Sequence, residues 1–180
     1  SVVIPSKSLD DLNRIVDEVD NMVEMHFSPT KALFKYKNLL FQTRLIDGTF
    51  PNTSNLIPTD FLTSVKFNKN ELISSIERAS LFTNYDVANI IKLTIHNDKT
   101  VEIASTNNEI GAVKEEINLL ECSKALDFQI AFSSKYFLDA LKSFDSTEVT
   151  VHFTGEIKPF IITGEYDVNL TQLILPVRVS

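Results

Sequence analysis

Three histidines and one cysteine are the side chains of this 180-residue sequence best suited to nucleophilic, acid–base or metal chemistry. His26, His96 and His152 lie far apart, each in or beside a strand-like run. None is spaced from another, or from a carboxylate, as metal ligands on one element are. Cys122 follows an acidic-apolar run with no histidine fixed near it, and reads as a buried or inert thiol. Being single, it forms no internal disulfide and no four-cysteine zinc site. There is no G-x-S-x-G, phosphate loop or dinucleotide fingerprint, and the four glycines are scattered. Asp47-Gly48 in "RLIDGTF" is more simply a turn than a carboxylate site. The residues therefore point to a non-enzymatic protein without cofactor or metal. A hydrolase or transferase with a scattered site stays as an alternative.

A second chemistry is that of charge at helical spacing. Lys7, Asp11 and Arg14 form one stripe, Glu71, Ser75 and Arg78 a second, and Lys135, Asp139 and Lys142 a third. Each mixes bases with an acid. A protein that grips nucleic acid concentrates its cations, because each neutralised phosphate adds salt-dependent affinity. These stripes are too diluted for that, and by themselves read first as solvated helix faces. The net charge of −7 argues against a broad basic surface. A third pattern is apolar: Phe50, Leu56 and Ile57 stand in the otherwise loop-like "RLIDGTFPNTSNLIP", and "LILPVRV" sets a proline in a terminal strand.

The elements that must position these residues repeat along the chain. The first unit opens with the strand "SVVI". The helix "SKSLDDLNRIVDEVD" follows, with Leu9, Leu12, Ile15, Val16 and Val19 on one face and Ser8–Asp11 resembling a capping box. The strands "MVEMHF", "ALFKYK" and "LLFQTRLI" complete it. The second unit reads as the strand "SVKF" and the helix "NELISSIERASLF". Asn70 is its expected N-cap, and Leu72, Ile73, Ile76 and Ala79 face inward. The strands "NIIKLTIHN", "TVEIAST" and "AVKEEINLL" follow, with "NDKT" as a hairpin turn. The third unit reads as the strand "LDFQIAF" and the helix "SSKYFLDALKSF", with Phe137, Leu138, Leu141 and Phe144 inward. The strands "EVTVHFTG", "KPFIITGEY" and "LTQLILPVRV" end it.

The unit recurs at a spacing of about 60 residues. One unit has a one-sided sheet and one helix, so it cannot close a core alone, whereas two packed together can. An odd unit without a partner suggests a fragment. The expected boundaries are 1–58 for the first unit, 59–63 for a linker and 64–180 for a complete two-unit domain. The hydrophobic content of 43% suits a globular protein. No run approaches the roughly 18 apolar residues of a membrane span. The opening "SVVIPSKSLDD" lacks the features of a signal peptide, and the cytoplasm is the simplest compartment.

The combination of "VIPSKSLDDLNRIV", "RLIDGTFPNTSNLIP", "IERASLFTN", "FSSKYFLDALKSF", "KPFII" and "LILPVRV", in this order and spacing, resembles the bacterial DNA polymerase III β-subunit (sliding-clamp) family. The resemblance spans essentially the whole chain. It implies an α+β DNA-clamp fold of repeated β-α-β-β-β units, with helices on one face and antiparallel sheets on the other. The first unit then matches the second half of a middle domain, and the rest a C-terminal domain. It implies a processivity factor: a homodimeric ring around duplex DNA that tethers the polymerase III α subunit, the clamp loader and repair proteins through linear peptide motifs. The alternative from the residues alone is a β-rich peptide-binding adaptor with no DNA role.

Residue by residue, the resemblance puts Lys7, Arg14, Arg78 and Lys142 toward DNA. Ser6 and Asn55 stand where many members carry Arg. It assigns a peptide pocket between the two domains to Pro51, Asn55, Leu56, Ser133, Tyr136, Ile157, Pro159, Leu173, Leu175, Pro176, Val177 and Arg178. It assigns a ring-closing surface to Leu81, Phe82, Glu115 and Glu116.

Overall fold

In the computed structural model, residues 1–16, 22–50, 52–53, 55–83, 89–107, 111–124 and 127–178 are described. The chain packs as two compact units, Ser1–Thr53 and Ser54–Ser180.

In the first unit, helix α1 (Ser6–Asn13) accompanies a three-stranded antiparallel sheet of β1 (Glu24–Phe27), β2 (Lys31–Tyr36) and β3 (Leu39–Arg44). Alternation along β2 buries Ala32, Phe34 and Tyr36. The expected strand "SVVI" reduces to one bridge, Val3 with Ile46. The expected capping box at Ser8 is also corrected. The N-cap is Pro5, three residues before Ser8, and its ring-fixed φ leads the chain into the first turn. The Ser8 hydroxyl is instead bonded across to Thr43 Oγ1 at 2.8 Å. Of the expected apolar face of α1, Leu12 is buried and Val16 packs beside it, but Leu9 and Ile15 are exposed. Val19 lies outside the described residues. Gly48, in the Asp-Gly turn after β3, has φ +128°, a conformation L side chains rarely adopt.

The second unit contains two β-α-β-β-β repeats. The first is β4 (Thr63–Asn68), α2 (Lys69–Ser80), β5 (Ile90–Ile95), β6 (Thr100–Asn107) and β7 (Gly111–Asn118). After the two-residue β8 (Glu121–Cys122) come β9 (Phe128–Ser133), α3 (Ser134–Lys142), β10 (Glu148–Phe153), β11 (Phe160–Gly164) and β12 (Thr171–Ile174). Each repeat gives its first strand to the other repeat's sheet. The strand β4 pairs with β10, in the order β12-β11-β10-β4-β8, and β9 pairs with β5, in the order β7-β6-β5-β9. This exchange is why one repeat cannot close a core alone.

Alternating residues of both sheets and the inner faces of α2 and α3 form one apolar core. Phe128, Phe132, Phe137, Phe153 and Phe160 are in ring contact within it, the closest pair being Phe132–Phe137 at 4.5 Å. The N-cap of α2 is Asn68, not Asn70. Its side-chain oxygen accepts from the backbone N–H groups of Asn70 and Glu71 at 3.0 and 3.1 Å. At "NDKT", Asn97 Oδ1 accepts from the backbone N–H groups of Lys99 and Thr100, both at 2.8 Å, which fixes the hairpin. The stretch read as a linker, 59–63, is tied into this unit. Leu62 N–H donates to Phe153 C=O at 2.7 Å, and Phe61 stacks on His152 at 4.8 Å between ring centres.

Candidate functional site

Pro176 decides the course of the C-terminal tail. Up to Ile174 the chain pairs with β11. A proline lacks the N–H that a ladder needs, so pairing with β11 ends there. Pro176 instead bridges Phe132 of β9, and Val177 N–H donates to Ala131 C=O at 2.7 Å. The tail thus leaves one sheet and joins the edge of the other. The crossing leaves Leu175 facing solvent, 66% exposed.

Three grooves border this tail and the β10–β11 turn. The largest, about 630 Å³, lies between α3 and β12. Its apolar wall is Leu173, Leu175, Pro176 and Val177, and Tyr136 stands over it from α3, 67% exposed. The second lies on the other side of Val177 and includes Ile157 and Arg178. The third runs under Leu56 to Leu62 and includes Pro159. The β10–β11 turn separates the second from the third, held by Thr154 Oγ1 donating to Pro159 C=O at 2.6 Å.

The expected pocket residues therefore fall in three places. Ser133, Tyr136, Leu173, Leu175, Pro176 and Val177 share the α3/β12 groove. Ile157 and Arg178 meet Val177 in the second. Leu56 and Pro159 meet in the third. Asn55 is exposed and lines none of these grooves, and Pro51 lies outside the described residues. Sequence reading missed Asp139, Ala140, Gln172 and Ile174, which complete the first groove. Asp139 and Ala140 follow Tyr136 by three and four residues, so helical spacing from Tyr136 was the signal that could have found them.

On the helix side of the second unit, α2 packs beside α3. Lys142 of α3 reaches Glu77 of α2 at 2.9 Å. Arg78 is bonded to Glu115 on the edge strand β7. Ser75, expected on the solvent stripe, is instead fully buried, because its small hydroxyl fits beneath Glu115 and donates to it at 3.1 Å. The Arg78 guanidinium, aided by Ser75 and opposed by partial burial, holds the Glu115 carboxyl below the usual carboxylate range. Glu115 and Glu116 point to opposite faces of β7, Glu115 toward α2 and Glu116 to solvent. Leu81, at the C-cap of α2, is exposed, and Phe82 is half-buried. In the first unit Lys7 and Arg14 are exposed, Arg14 lying 3.9 Å from Asp11.

His152 lies on the outer face of the five-stranded sheet. Its Nδ1 is 2.8 Å from Ser64 Oγ and its Nε2 2.9 Å from Thr163 Oγ1. Burial lowers its pKa from the ordinary value of 6.5. Both ring nitrogens are thereby engaged across three strands, which is a structural role. Among the described residues no group of three or more His, Cys, Asp or Glu is placed to hold a metal ion. No described helix is long and apolar enough to cross a membrane.

Comparison with known proteins adds the family context. The family model for the DNA polymerase III beta subunit, C-terminal domain, matches residues 54–178, and that for the central domain matches residues 1–52. The chain is 42% identical over 178 residues to the beta sliding clamp of Bacillus subtilis, and 39% identical over 178 residues to that of Staphylococcus aureus strain Mu50. Each match covers 99% of this chain and 47% of the relative, so the chain spans about half the length of these relatives. The crystal structure of the Bacillus subtilis DNA polymerase sliding clamp superposes with a TM-score of 0.87, over 99% of this chain and 47% of that one. That of the Streptococcus pyogenes DNA polymerase beta subunit does so with 0.86 at 33% identity, over 99% and 48%.

Proposed function

The chain belongs to the DNA polymerase III beta-subunit family, and on that premise we propose that it serves as part of a sliding clamp whose second unit docks partner peptides. In this reading the chain has no catalytic role. It contributes to a homodimeric ring around duplex DNA in the bacterial cytoplasm. The polymerase α subunit, the clamp loader and repair proteins are held by short linear motifs at the tail.

The observation that carries the docking reading is the exposed pair Tyr136 and Leu175 on the groove between α3 and β12. Large side chains left in water beside a concave apolar wall give a Leu or Phe anchor area to bury. Pro176 holds the wall in place before binding, so little ordering cost remains. For DNA, the support is the pair of adjacent helices carrying Arg78 and Lys142, with cations diluted enough for sliding. Leu81, Glu115 and Glu116 are proposed to take part in ring closure, at the open edge of β7.

The ion pairing of both Arg78 and Lys142 favours a second reading, an adaptor that binds peptides but not DNA. Two measurements on the 180-residue chain separate these readings. Anisotropy of a fluorescein-labelled Leu/Phe-containing peptide is expected to report binding that Leu175→Asp abolishes while the circular dichroism melt is unchanged. Unchanged affinity in the folded variant contradicts the docking face. Salt-dependent retention of a labelled DNA duplex supports the clamp, and its absence at low salt supports the adaptor.

A further inference from the structure

Lys92 occupies an unusual position for a lysine. It lies in β5, a central strand of the four-stranded sheet, and it is half-buried on the outer face. Its neighbours across the ladder are Ala104 and Ala131, whose methyl groups leave open space beside it. Among the described residues no carboxylate lies within ion-pair distance of its ammonium. Its stem is partly covered by the sheet while its charged end reaches the groove, where it is available to a ligand's carboxylate.

The second cation arrives by the tail. Val177 N–H is bonded to Ala131 C=O, so Arg178, the next residue, lies beside the same alanine. Lys92, Ala131, Val177 and Arg178 line one groove, together with Gln129. The Gln129 amide N–H donates to Thr94 Oγ1 at 3.2 Å, which fixes the amide on the groove wall. Glu156 also lines the groove, is exposed, and is the one acid among the lining residues. Val177 belongs both to this groove and to the apolar α3/β12 groove, so one extended ligand can lie in the two at once.

We propose that the groove between Lys92, Gln129 and Arg178 is a carboxylate-accepting subsite. It takes an acidic residue or a chain end of a peptide whose apolar residues lie against Leu175 and Val177. This rests on the docking reading above and extends it. The apolar groove supplies affinity, and the two cations fix which end of the peptide points to β5. Charge complementarity of this kind sets register and orientation more than total affinity.

The test uses the 180-residue chain and N-terminally fluorescein-labelled peptides that share one Leu-Ala-Leu-Phe block. Two glutamates precede the block, follow it, or are replaced by glutamines. A further peptide has glutamines and a free terminal carboxylate, the others being amidated. At low salt one placement of the carboxylate, in a glutamate or at the chain end, is expected to bind about five-fold tighter than the amidated glutamine peptide. The gap is expected to close at high salt and in both Lys92→Met and Lys92→Gln, and to widen in Glu156→Gln. A gain seen with the free-carboxylate peptide but with neither glutamate placement assigns the subsite to chain ends; a gain seen with a glutamate placement but not with the free carboxylate assigns it to acidic side chains; a gain with both shows that it takes either. Equal affinity for the glutamate, free-carboxylate and glutamine peptides overturns the subsite while leaving the apolar groove in place, as does a gap that survives both Lys92 variants. If no peptide binds at all, the docking reading falls and the subsite with it.

Discussion

Arg78 and Glu115 hold each other across the second unit: the guanidinium of the last turn of α2 donates through both Nε and Nη2 to the carboxylate on edge strand β7, the Nε bond being 3.1 Å. Ser75 completes the arrangement from below, accepting from Arg78 and donating to Glu115, each at 3.1 Å. A residue proposed to face DNA and a residue proposed to close the ring are thus each other's counter-charge. Glu115→Gln is expected to free Arg78 for phosphate. Duplex affinity then rises at low salt, and the log–log salt slope steepens by about one. A salt titration of the two proteins checks this, and an unchanged slope places Arg78 away from the DNA path.

Glu115 also links folding to pH. Its carboxyl is depressed in the folded chain, chiefly by the Arg78 bond. It therefore contributes stability above its ordinary value of 4.5, lost as pH falls through the folded value. His152 acts in the same direction at higher pH. Burial lowers its pKa, so the unfolded chain holds the imidazole proton more tightly. Stability from this group is complete above 6.5 and falls as pH drops below it. The melting temperature is expected to fall between about pH 7.5 and about pH 5.5, with part of that fall removed by His152→Gln. A pH series of thermal melts on both proteins measures it.

Gly164→Ala is expected to destabilise the second unit by about 1–3 kcal/mol through overpacking. A Cβ there would meet Asp167 Oδ2 at 2.2 Å and Phe144 Cδ1 at 2.9 Å. The Asp167 carboxylate cannot simply withdraw, because it accepts from the backbone N–H groups of Asp145 and Ser146 and from the Ser146 hydroxyl. Urea unfolding gives the value. A neutral result means that the 164–170 loop moves without cost.

Asn68→Ala is expected to cost about 1 kcal/mol by removing the cap of α2, whereas Asn70→Ala leaves stability nearly unchanged. Chemical denaturation of the two single variants distinguishes them, since only Asn68 accepts from the helix N–H groups.

The repeats were legible because local periodicity carries them. The two-residue alternation of "EVTVHF" and the helical spacing of Phe137, Leu141 and Phe144 need no partner to be read. The exchange of β4 and β9 between sheets was not legible, because pairing over long sequence separation leaves no local mark. Asn68 and Asn70 flank the same lysine, and only backbone geometry tells which is the cap. Leu175 and Tyr136 were identified from the family resemblance, but their division from Ile157, Arg178, Leu56 and Pro159 into separate grooves follows from where Pro176 sends the tail. Lys92 gave no signal, since a lysine in an alternating strand reads as an ordinary solvated position.

Nuclear magnetic resonance shows whether the tail of the second unit is the docking face. Backbone amide shifts of the 180-residue chain are recorded while a Leu/Phe-containing peptide is added. The largest shifts are expected at Tyr136, Leu175 and Val177, with little change along β6 and β7. Shifts centred on β7 and the end of α2, or none near the tail at saturating peptide, would contradict it.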